Sequence, residues 1–278
     1  MPATGKFTMK DLRSARQSGQ KVAMLTCYDF TTARLMEEAG VRTILVGDSA
    51  SNVILGNATT LPIRLDFLIE LTAAVRRGAP NALLIADMPF GSYQRSSAQG
   101  VKNVCRMVQL SGCDCVKLEL TVRQTPLVSR LADGGVPVMV HLGLRPQTVS
   151  LLGGYRAQAR TPHEIDQLVA DAMVLEKAGA ATILLEAVPP AAARAIIAAT
   201  ALPVIGCGAG PDCHGHVVVV HDCLGLTSNP PRFVPVLADM AGAYKNAFAD
   251  YVHRVADGRY PAAQHVYEMA AGAADPSK

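Results

Sequence analysis

The stretch Thr43-Ile44-Leu45-Val46-Gly47-Asp48-Ser49 decides the fold, because it is a short apolar run that stops at an acid. Two later stretches have the same form: residues 82–87 end at Asp87, and residues 114–119 end at Glu119. A strand that is buried on both faces of a parallel sheet is a nearly continuous apolar run rather than an alternating one. These stretches therefore predict buried strands of a parallel sheet whose two faces are covered.

The same alternation of apolar runs and helical patterns continues along the whole chain. The predicted strands lie near 22–27, 43–48, 82–87, 114–119, 136–141, 181–186, 203–207 and 217–221. A chain of 278 residues suits one (β/α)8 barrel, which typically needs about 250 residues. We predict an α/β protein with a single TIM-barrel domain over residues 1–278, a short N-terminal helix and a helical C-terminal tail. The last helical segment should run from about Pro231 to Val255, and residues 257–278 should form the tail after it. A doubly wound open sheet is the alternative.

Composition excludes several classes of function. Half of the residues are hydrophobic and 18% are charged, which is typical of a chain with a large core. The net charge of +3 is too small to attract nucleic acid or a membrane surface. No segment is long and apolar enough for a membrane span or a signal peptide. The seven cysteines are an odd number, which favours reduced thiols over a disulfide framework. We expect a cytoplasmic protein that binds neither nucleic acid nor membrane.

Acids at the predicted strand ends indicate a site. The carboxyl ends of parallel strands share one face, so Asp48, Asp87 and Glu119 should converge there. One aspartate after a strand often caps the next helix, but this reading does not explain acids on several neighbouring strands. Carboxylates at close range raise each other's pKa unless a cation offsets them, and hard oxygen ligands suit Mg²⁺. Glu186, two strands further round, would remain free for proton transfer.

Two other side chains should reach the same rim. Lys117 precedes Glu119 by two residues, so both should point to the same side of their strand. The ammonium group of Lys117 could hold a substrate carboxylate, form a Schiff base if its pKa were depressed, or serve only as an ion-pair partner. His141 ends the fifth predicted strand. It would either donate a hydrogen bond to the substrate or satisfy its hydrogen bonds within the protein.

A glycine-rich loop, Gly206-Cys207-Gly208-Ala209-Gly210, follows the seventh predicted strand. Such loops often bind phosphate in barrels, although this spacing is not the dinucleotide fingerprint. The glycines could equally serve a close approach of the backbone to a neighbouring group.

Several strings at the predicted strand ends resemble those of the ketopantoate hydroxymethyltransferase family. They are Val46-Gly47-Asp48-Ser49, Thr60-Leu61-Pro62, Ala74-Val75-Arg76-Arg77-Gly78-Ala79-Pro80, Ala86-Asp87-Met88-Pro89-Phe90, Val116-Lys117-Leu118-Glu119, His141-Leu142-Gly143-Leu144-Arg145-Pro146-Gln147, Gly153-Gly154-Tyr155, Leu185-Glu186-Ala187-Val188-Pro189, Ile205-Gly206-Cys207-Gly208-Ala209-Gly210 and His221-Asp222. The resemblance extends over roughly residues 8–265.

The resemblance implies a Mg²⁺-dependent (β/α)8 enzyme of pantothenate and coenzyme A synthesis. Such an enzyme transfers the one-carbon unit of 5,10-methylenetetrahydrofolate to C3 of 3-methyl-2-oxobutanoate, through a Mg²⁺-stabilised enolate, and gives 2-dehydropantoate. The implied partners are therefore a small 2-oxo acid and a folate. The family is also oligomeric, so the resemblance implies a homo-oligomer, typically a decamer.

The resemblance also assigns roles to residues. It implies a metal site formed by Asp48, Asp87 and Glu119. It implies contacts with the keto acid from Asp48, Ser49, Asp87 and Lys117, to which the rim position of His141 adds a further candidate. It implies that Glu186 is the catalytic proton acceptor.

The chain departs from the family pattern at three places. Ala50-Ser51-Asn52 replaces a stretch that usually contains leucine, glycine and methionine, and Ala159 stands where glycine is common. His214-Gly215-His216 replaces the usual aspartate, glycine and glutamine. These departures remove no proposed catalytic group, but the first adjoins the predicted substrate pocket.

Two other functions remain open from the sequence. A Mg²⁺-dependent barrel enzyme of the phosphoenolpyruvate mutase and isocitrate lyase kind would act on another 2-oxo acid, and we would expect a reactive cysteine in one of its rim loops. No cysteine here stands in an evident cationic loop motif. A non-catalytic barrel would be expected to lack at least one of the acids, and all of them are present.

Overall fold

The computed structural model describes residues 5–269, and its centre is a closed barrel of eight parallel strands. The strands are β1 Val22–Thr26, β2 Thr43–Val46, β3 Leu83–Asp87, β4 Cys115–Leu118, β5 Val138–Gly143, β6 Thr182–Glu186, β7 Val204–Cys207 and β8 Gly215–Val218. Each strand pairs with the next along the chain, and β8 pairs with β1. The predicted TIM barrel is confirmed, and the open doubly wound sheet is excluded.

Helices alternate with the strands and surround them. They are α1 Met9–Ser18, α2 Phe30–Glu38, α3 Ala50–Val53, α4 Leu65–Gly78, α5 Ser97–Ser111, α6 Thr125–Asp133, α7 Val149–Leu152, α8 Pro162–Lys177, α9 Pro190–Ala199, α10 Val220–Cys223 and α11 Met240–Ala256. Three 3-10 turns lie at Val122–Gln124, Pro146–Thr148 and Ala263–His265. Within residues 5–269, no helix combines the length and the apolar character needed to cross a membrane.

The end of the chain differs from the prediction in two respects. Strand β8 begins two residues earlier than the predicted 217–221, because Gly215 fits against the carbonyl oxygen of Val22, only 2.4 Å from where a Cβ would lie. The strand ends at Val218, and His221 belongs to α10. The C-terminal helix is present but begins at Met240 rather than near Pro231, since prolines in this stretch disfavour helical backbone before them. Of the predicted tail 257–278, residues 270–278 lie outside the described part.

The N-terminal helix closes the bottom of the barrel. Thr8 caps α1 in a capping box with Asp11, which satisfies two backbone N–H groups at the helix start. Leu12 and Ala15 of this helix are buried in the cluster that fills the barrel interior. The bottom is therefore sealed by apolar packing, and the interior opens only toward the carboxyl ends of the strands.

Candidate active site at the barrel mouth

The polar side chains of the site lie directly above the apolar layer that fills the inside of the barrel. That layer contains the inward side chains Ile85, Cys115, Met139, Leu184 and Ile205. Side chains two residues apart along a strand point to the same side. The next inward position on each of these strands is therefore a polar residue. These positions hold Asp87, Lys117, His141, Glu186 and Cys207.

These side chains surround a cavity of about 540 Å³ at the mouth of the barrel. Six of the predicted site residues line it, namely Asp48, Ser49, Asp87, Lys117, His141 and Glu186. Glu119 is buried but does not line the cavity; it follows Leu118, the last residue of β4, and belongs to the loop after that strand. The structure thus brings six of the seven predicted residues into one cavity and leaves the seventh beside it.

A buried ion pair joins β3 and β4. Asp87 and Lys117 are partners in the register of the two strands, and the ammonium group of Lys117 donates to Oδ1 of Asp87. Burial by itself lowers the pKa of Lys117, but the Asp87, Asp48 and Glu119 carboxylates outweigh it and raise this pKa above its usual value. A charged ammonium is favourable for holding an anionic substrate group. It is unfavourable for Schiff-base chemistry, which needs a depressed pKa.

Asp48 lies next to this ion pair. Its backbone N–H donates to Oδ2 of Asp87 over 2.9 Å, and its own Oδ2 accepts a hydrogen bond of 3.0 Å from Nε2 of Gln147. Burial, followed by the charge of Asp87, raises the pKa of Asp48 to about 8. A buried carboxyl beside another carboxylate is stabilised by a proton or by a nearby cation.

His141 lies between two glutamates. Its Nε2 is 3.2 Å from Oε2 of Glu186, and its Nδ1 is 3.5 Å from Oε1 of Glu119. Burial and Lys117 lower the pKa of His141, but the contacts with Glu119 and Glu186 outweigh them and raise it. Neither ring nitrogen has a hydrogen bond of good geometry, so the two contacts are electrostatic. The imidazole is positioned to hold the Glu186 carboxylate toward the cavity.

Glu119 has one buried oxygen with a hydrogen-bond partner and one without. Its Oε2 accepts a 2.9 Å hydrogen bond from the backbone N–H of Gln147, whereas its Oε1 is buried without a hydrogen-bond partner. Burial raises the pKa of Glu119, but the contact with His141 and the charges of His141 and Lys117 outweigh burial. The pKa of Glu119 is therefore lower than its usual value, and the carboxyl is ionised.

The donor set of Asp48, Asp87 and Glu119 fits a hard divalent cation. All three supply carboxylate oxygens, and one of these oxygens is buried without a hydrogen-bond partner. A bound cation would also offset the burial and the negative charge that raise the pKa of Asp48. Between residues 5 and 269, no three His, Cys, Asp or Glu side chains already stand in metal-ligating geometry. The acids would therefore have to adjust, since Lys117 and Gln147 now occupy some of their oxygens.

Ser49 is oriented by a tyrosine from the loop after β1. The hydroxyl groups of Tyr28 and Ser49 are 2.8 Å apart, and the Tyr28 ring packs against that of His221 with 5.5 Å between centroids. Tyr28 is buried, so the contact fixes the Ser49 hydroxyl at the cavity wall.

The departure Ala50-Ser51-Asn52 forms the short helix α3 behind Ser49. Ser51 is buried and donates to the carbonyl of Thr59, and the amide of Asn52 donates to the carbonyl of Asn57. Of the three residues only Asn52 lines the cavity. This segment therefore closes the loop that follows β2, with one side chain at the substrate pocket.

Several residues of the site have no role in the prediction from the sequence. Gln147 bridges Asp48 and Glu119, Tyr28 orients Ser49, and Cys207 and Asp222 line the cavity. Only Cys207 carried a usable signal, since it is the last residue of an apolar strand, as Asp87 and Glu186 are. The positions of Gln147 and Asp222 depend on the path of loops, which residue periodicity does not encode.

The fold and the site define an enzyme of the (β/α)8 barrel class, with acids, a lysine and a histidine around one cavity at the carboxyl ends of its strands. A sequence profile described as ketopantoate hydroxymethyltransferase matches residues 6–263. The chain belongs to the ketopantoate hydroxymethyltransferase family, and it is therefore an enzyme of the transferase class.

Relatives that carry the name of this reaction match over almost the whole chain. The 3-methyl-2-oxobutanoate hydroxymethyltransferase of Heliobacterium modesticaldum is 43% identical over 95% of this chain and 96% of its own. The protein of the same name from Thiobacillus denitrificans is 45% identical, over 94% of this chain and 99% of its own.

Solved structures with a similar fold carry the names of other enzymes. A phosphoenolpyruvate phosphomutase from Streptomyces platensis subsp. rosaceus superposes with a TM-score of 0.61 at 15% identity, over 94% of this chain and 92% of its own. A 2,3-dimethylmalate lyase, a member of the PEP mutase/isocitrate lyase superfamily, gives a TM-score of 0.60 at 15% identity, over 93% and 91%. At this identity the likeness concerns the fold alone.

Proposed function

We propose that this protein is a 3-methyl-2-oxobutanoate hydroxymethyltransferase. It would transfer the one-carbon unit of 5,10-methylenetetrahydrofolate to C3 of 3-methyl-2-oxobutanoate and release 2-dehydropantoate, the first step of pantothenate synthesis. The observation that carries the proposal is the convergence of Asp87, Lys117, His141 and Glu186 on one cavity in a chain of this family. The family match favours this reaction over that of a phosphoenolpyruvate mutase or isocitrate lyase.

The reaction needs a base at C3 of the keto acid, and Glu186 is the candidate. Its carboxylate lines the cavity with 19% of the side chain exposed, so it is accessible to substrate. His141 contacts Oε2 of Glu186 at 3.2 Å and holds the carboxylate in place. Glu186 would take the proton from C3 when the acid binds within hydrogen-bond reach, and the resulting carbon nucleophile would attack the one-carbon unit. The two carbon–nitrogen bonds that join this unit to the carrier would break, water would supply the hydroxyl group of the product, and tetrahydrofolate would leave.

The carboxylate of the keto acid needs a cationic anchor, for which Lys117 and Ser49 are the candidates. Lys117 is charged and buried in the cavity wall, where its interaction with an anion is little screened. Ser49 offers a hydroxyl already oriented by Tyr28. Together they would fix one end of the substrate while Glu186 faces C3.

Asp48, Asp87 and Glu119 would hold Mg²⁺. When bound, this cation would act as a Lewis acid that polarises the keto oxygen and so acidifies C3. The oxygen donors of the three acids and the unpartnered Oε1 of Glu119 support this assignment.

We also propose that the enzyme works in the cytoplasm as a homo-oligomer, with the decamer of the family as its expected form. The aromatic side chains of Tyr244, Phe248 and Tyr251 on α11 are exposed, and such a surface supports contacts between copies.

A product assay tests the proposed reaction. Purified protein with Mg²⁺, 3-methyl-2-oxobutanoate and 5,10-methylenetetrahydrofolate should yield 2-dehydropantoate, detected by mass spectrometry, and EDTA should stop the reaction. A protein that forms no product in the presence of Mg²⁺ contradicts the proposed function. Formation of product that EDTA leaves unchanged contradicts the role of the metal.

A further inference from the structure

One polar side chain in the cavity wall has a hydroxyl group that the fold does not use. Thr60 lies in the loop between α3 and α4, lines the cavity and is only 4% exposed. Its Oγ1 is buried and forms no hydrogen bond with any residue from 5 to 269. A buried hydroxyl without a partner is unfavourable, because the group has lost its hydrogen bonds to water and gained none in exchange. Thr60 therefore has a free hydrogen-bonding group beside the substrate cavity.

Ser51 and Asn57 hold the segment that carries Thr60. Ser51 is buried, and its hydroxyl donates to the carbonyl oxygen of Thr59 over 2.8 Å and accepts a 3.2 Å hydrogen bond from Nδ2 of Asn57. The backbone N–H of Asn57 donates in turn to the carbonyl oxygen of Ser51 over 2.9 Å. These hydrogen bonds fix the peptide that precedes Thr60 against α3. The position of Thr60 is therefore determined by Ser51, which is one of the departures from the family pattern.

Thr60 belongs to the same side of the cavity as Ser49, the candidate anchor of the substrate carboxylate. Ser49 directly precedes α3, and the Thr59 carbonyl is held by Ser51 of that short helix. The hydroxyl-bearing residues Ser49 and Thr60 both line the cavity. The candidate base Glu186 ends β6, which lies across the barrel from β2. Thr60 is thus placed near the anchored end of the substrate and away from the base.

A carboxylate at this end of the cavity has room for a further donor. An ionised carboxylate has two oxygens with about four acceptor positions, of which Lys117 and Ser49 would use two. The hydroxyl and methyl groups of Thr60 are attached to the same carbon and are similar in size. Rotation about the Cα–Cβ bond exchanges them between staggered positions, so it turns the hydroxyl toward the cavity at little steric cost.

We propose that Thr60 is a further substrate-binding residue, whose hydroxyl donates a hydrogen bond to the carboxylate of the 2-oxo acid, and that Ser51 is its positioning residue. The carboxylate keeps its charge when C3 loses its proton, so the hydrogen bond contributes equally before and during the reaction. Such a contact lowers KM and leaves kcat unchanged. This inference rests on the proposed function, since it adds a contact to the 2-oxo acid of that reaction.

Calorimetry with 3-methyl-2-oxobutanoate in the presence of Mg²⁺ tests the contact. Thr60→Val removes the hydroxyl and keeps the shape of the side chain, and it should weaken binding by about tenfold, the loss expected for one hydrogen bond to a charged group. Thr60→Ser keeps the hydroxyl and should restore binding. Oxalate, which has a carboxylate but no C3, should show the same loss with Thr60→Val. Thr59→Val, the same change at a side chain that does not line this cavity, is the matched control and should bind both acids as the wild type does.

Thermal melting distinguishes a substrate contact from a structural role. Thr60→Val should melt at the wild-type temperature or above it, because a methyl group replaces a buried hydroxyl that has no partner among residues 5–269. Ser51→Ala removes the hydrogen bond to the Thr59 carbonyl, so it should melt at a lower temperature. It should also lose affinity for the 2-oxo acid, since Thr60 is no longer held.

Steady-state kinetics separates binding from chemistry. Thr60→Val should raise KM for the 2-oxo acid by about tenfold, while kcat and KM for 5,10-methylenetetrahydrofolate stay at their wild-type values. A Thr60→Val protein that keeps wild-type affinity, that melts clearly below the wild type, or that loses affinity for the 2-oxo acid but not for oxalate would overturn the contact. Wild-type affinity in Ser51→Ala would overturn the positioning role. A wild type that binds the acid but forms no product would contradict the proposed reaction instead.

Discussion

The amide nitrogen of Gln147 lies 3.0 Å from Oδ2 of Asp48, while the backbone N–H of the same residue lies 2.9 Å from Oε2 of Glu119. One buried residue therefore links two acids that follow different strands. The amide oxygen of Gln147 is itself held by the hydroxyl of Tyr93 at 2.7 Å. The relative position of the candidate metal ligands thus depends on a loop residue as well as on the barrel.

Substitution of Gln147 by Met should lower kcat/KM for the keto acid by about tenfold or more. The variant removes a hydrogen bond to a buried carboxylate, which is worth about 1.5–3 kcal/mol, and leaves the Tyr93 hydroxyl only its longer contact with the backbone carbonyl of Glu119. The concentration of Mg²⁺ needed for half-maximal rate should also rise, because Asp48 is no longer oriented. Gln167→Met, which alters an amide on exposed α8, is the control. Wild-type kinetics and an unchanged Mg²⁺ requirement in Gln147→Met would show that the bridge has no role in the site.

The departure at His214 is expected to make stability depend on pH. Nδ1 of His214 accepts a 3.0 Å hydrogen bond from the backbone N–H of Val204. Burial, together with the charges of Arg16 and Lys21, lowers the pKa of this histidine from 6.5 to about 4. The neutral ring stabilises the fold fully above about pH 6.5, and this contribution is lost as the pH falls to about 4, because the unfolded chain takes up the proton first. With allowance for solvent screening, the loss amounts to about 1–2 kcal/mol.

Substitution of His214 by Asp should remove this pH dependence. An aspartate can accept the same N–H hydrogen bond, and its charge is favourable beside Arg16 and Lys21. Urea unfolding at pH 7.5 and at pH 5 should show a smaller loss of stability for the variant than for the wild type. His163→Gln, on an exposed side chain, should behave as the wild type. A variant that loses as much stability as the wild type between the two pH values would contradict this assignment.

The departure at Ala159 introduces backbone strain. Ala159 has φ = 53°, in the left-handed region that favours glycine, and it is buried. Ala159→Gly should therefore raise the free energy of unfolding by about 0.5–1 kcal/mol. Ala178→Gly is the opposite control, because Ala178 has φ = −74°. This variant should have a free energy of unfolding lower by about 0.5–1 kcal/mol, since glycine gives the unfolded chain more freedom. Denaturant unfolding measures both changes, and destabilisation by Ala159→Gly would contradict the strain.

Much of the fold could be predicted from the sequence because the strands are buried on both faces. Their apolar runs stand out, and the polar residues that end them mark the rim, as Asp87 and Glu186 do. Strand β8 was placed too late because its first residue is Gly215, whose fit against the β1 backbone is a tertiary contact. The predicted start of α11 was wrong because prolines in the segment before Met240 disfavour helical backbone.

The candidate site was predicted as far as residue periodicity extends. Lys117 and His141 reach the cavity because each lies two residues beyond an inward apolar side chain. Glu119 lies past the end of β4, so the alternation of the strand no longer determines its direction. Gln147 and Asp222 belong to segments whose positions depend on how the loops fold over the barrel.

Glu186 should remove the proton from C3 of the keto acid in the first step of the proposed reaction. Exchange of that proton for deuterium, followed by NMR in D₂O with Mg²⁺ and 3-methyl-2-oxobutanoate but no folate, measures this step alone. The wild type and the surface control Glu70→Gln should exchange the C3 proton at the same rate. Glu186→Gln should exchange it more slowly, by a factor of about a hundred or more, and should still bind the acid in calorimetry. Exchange by Glu186→Gln at the wild-type rate would contradict the account.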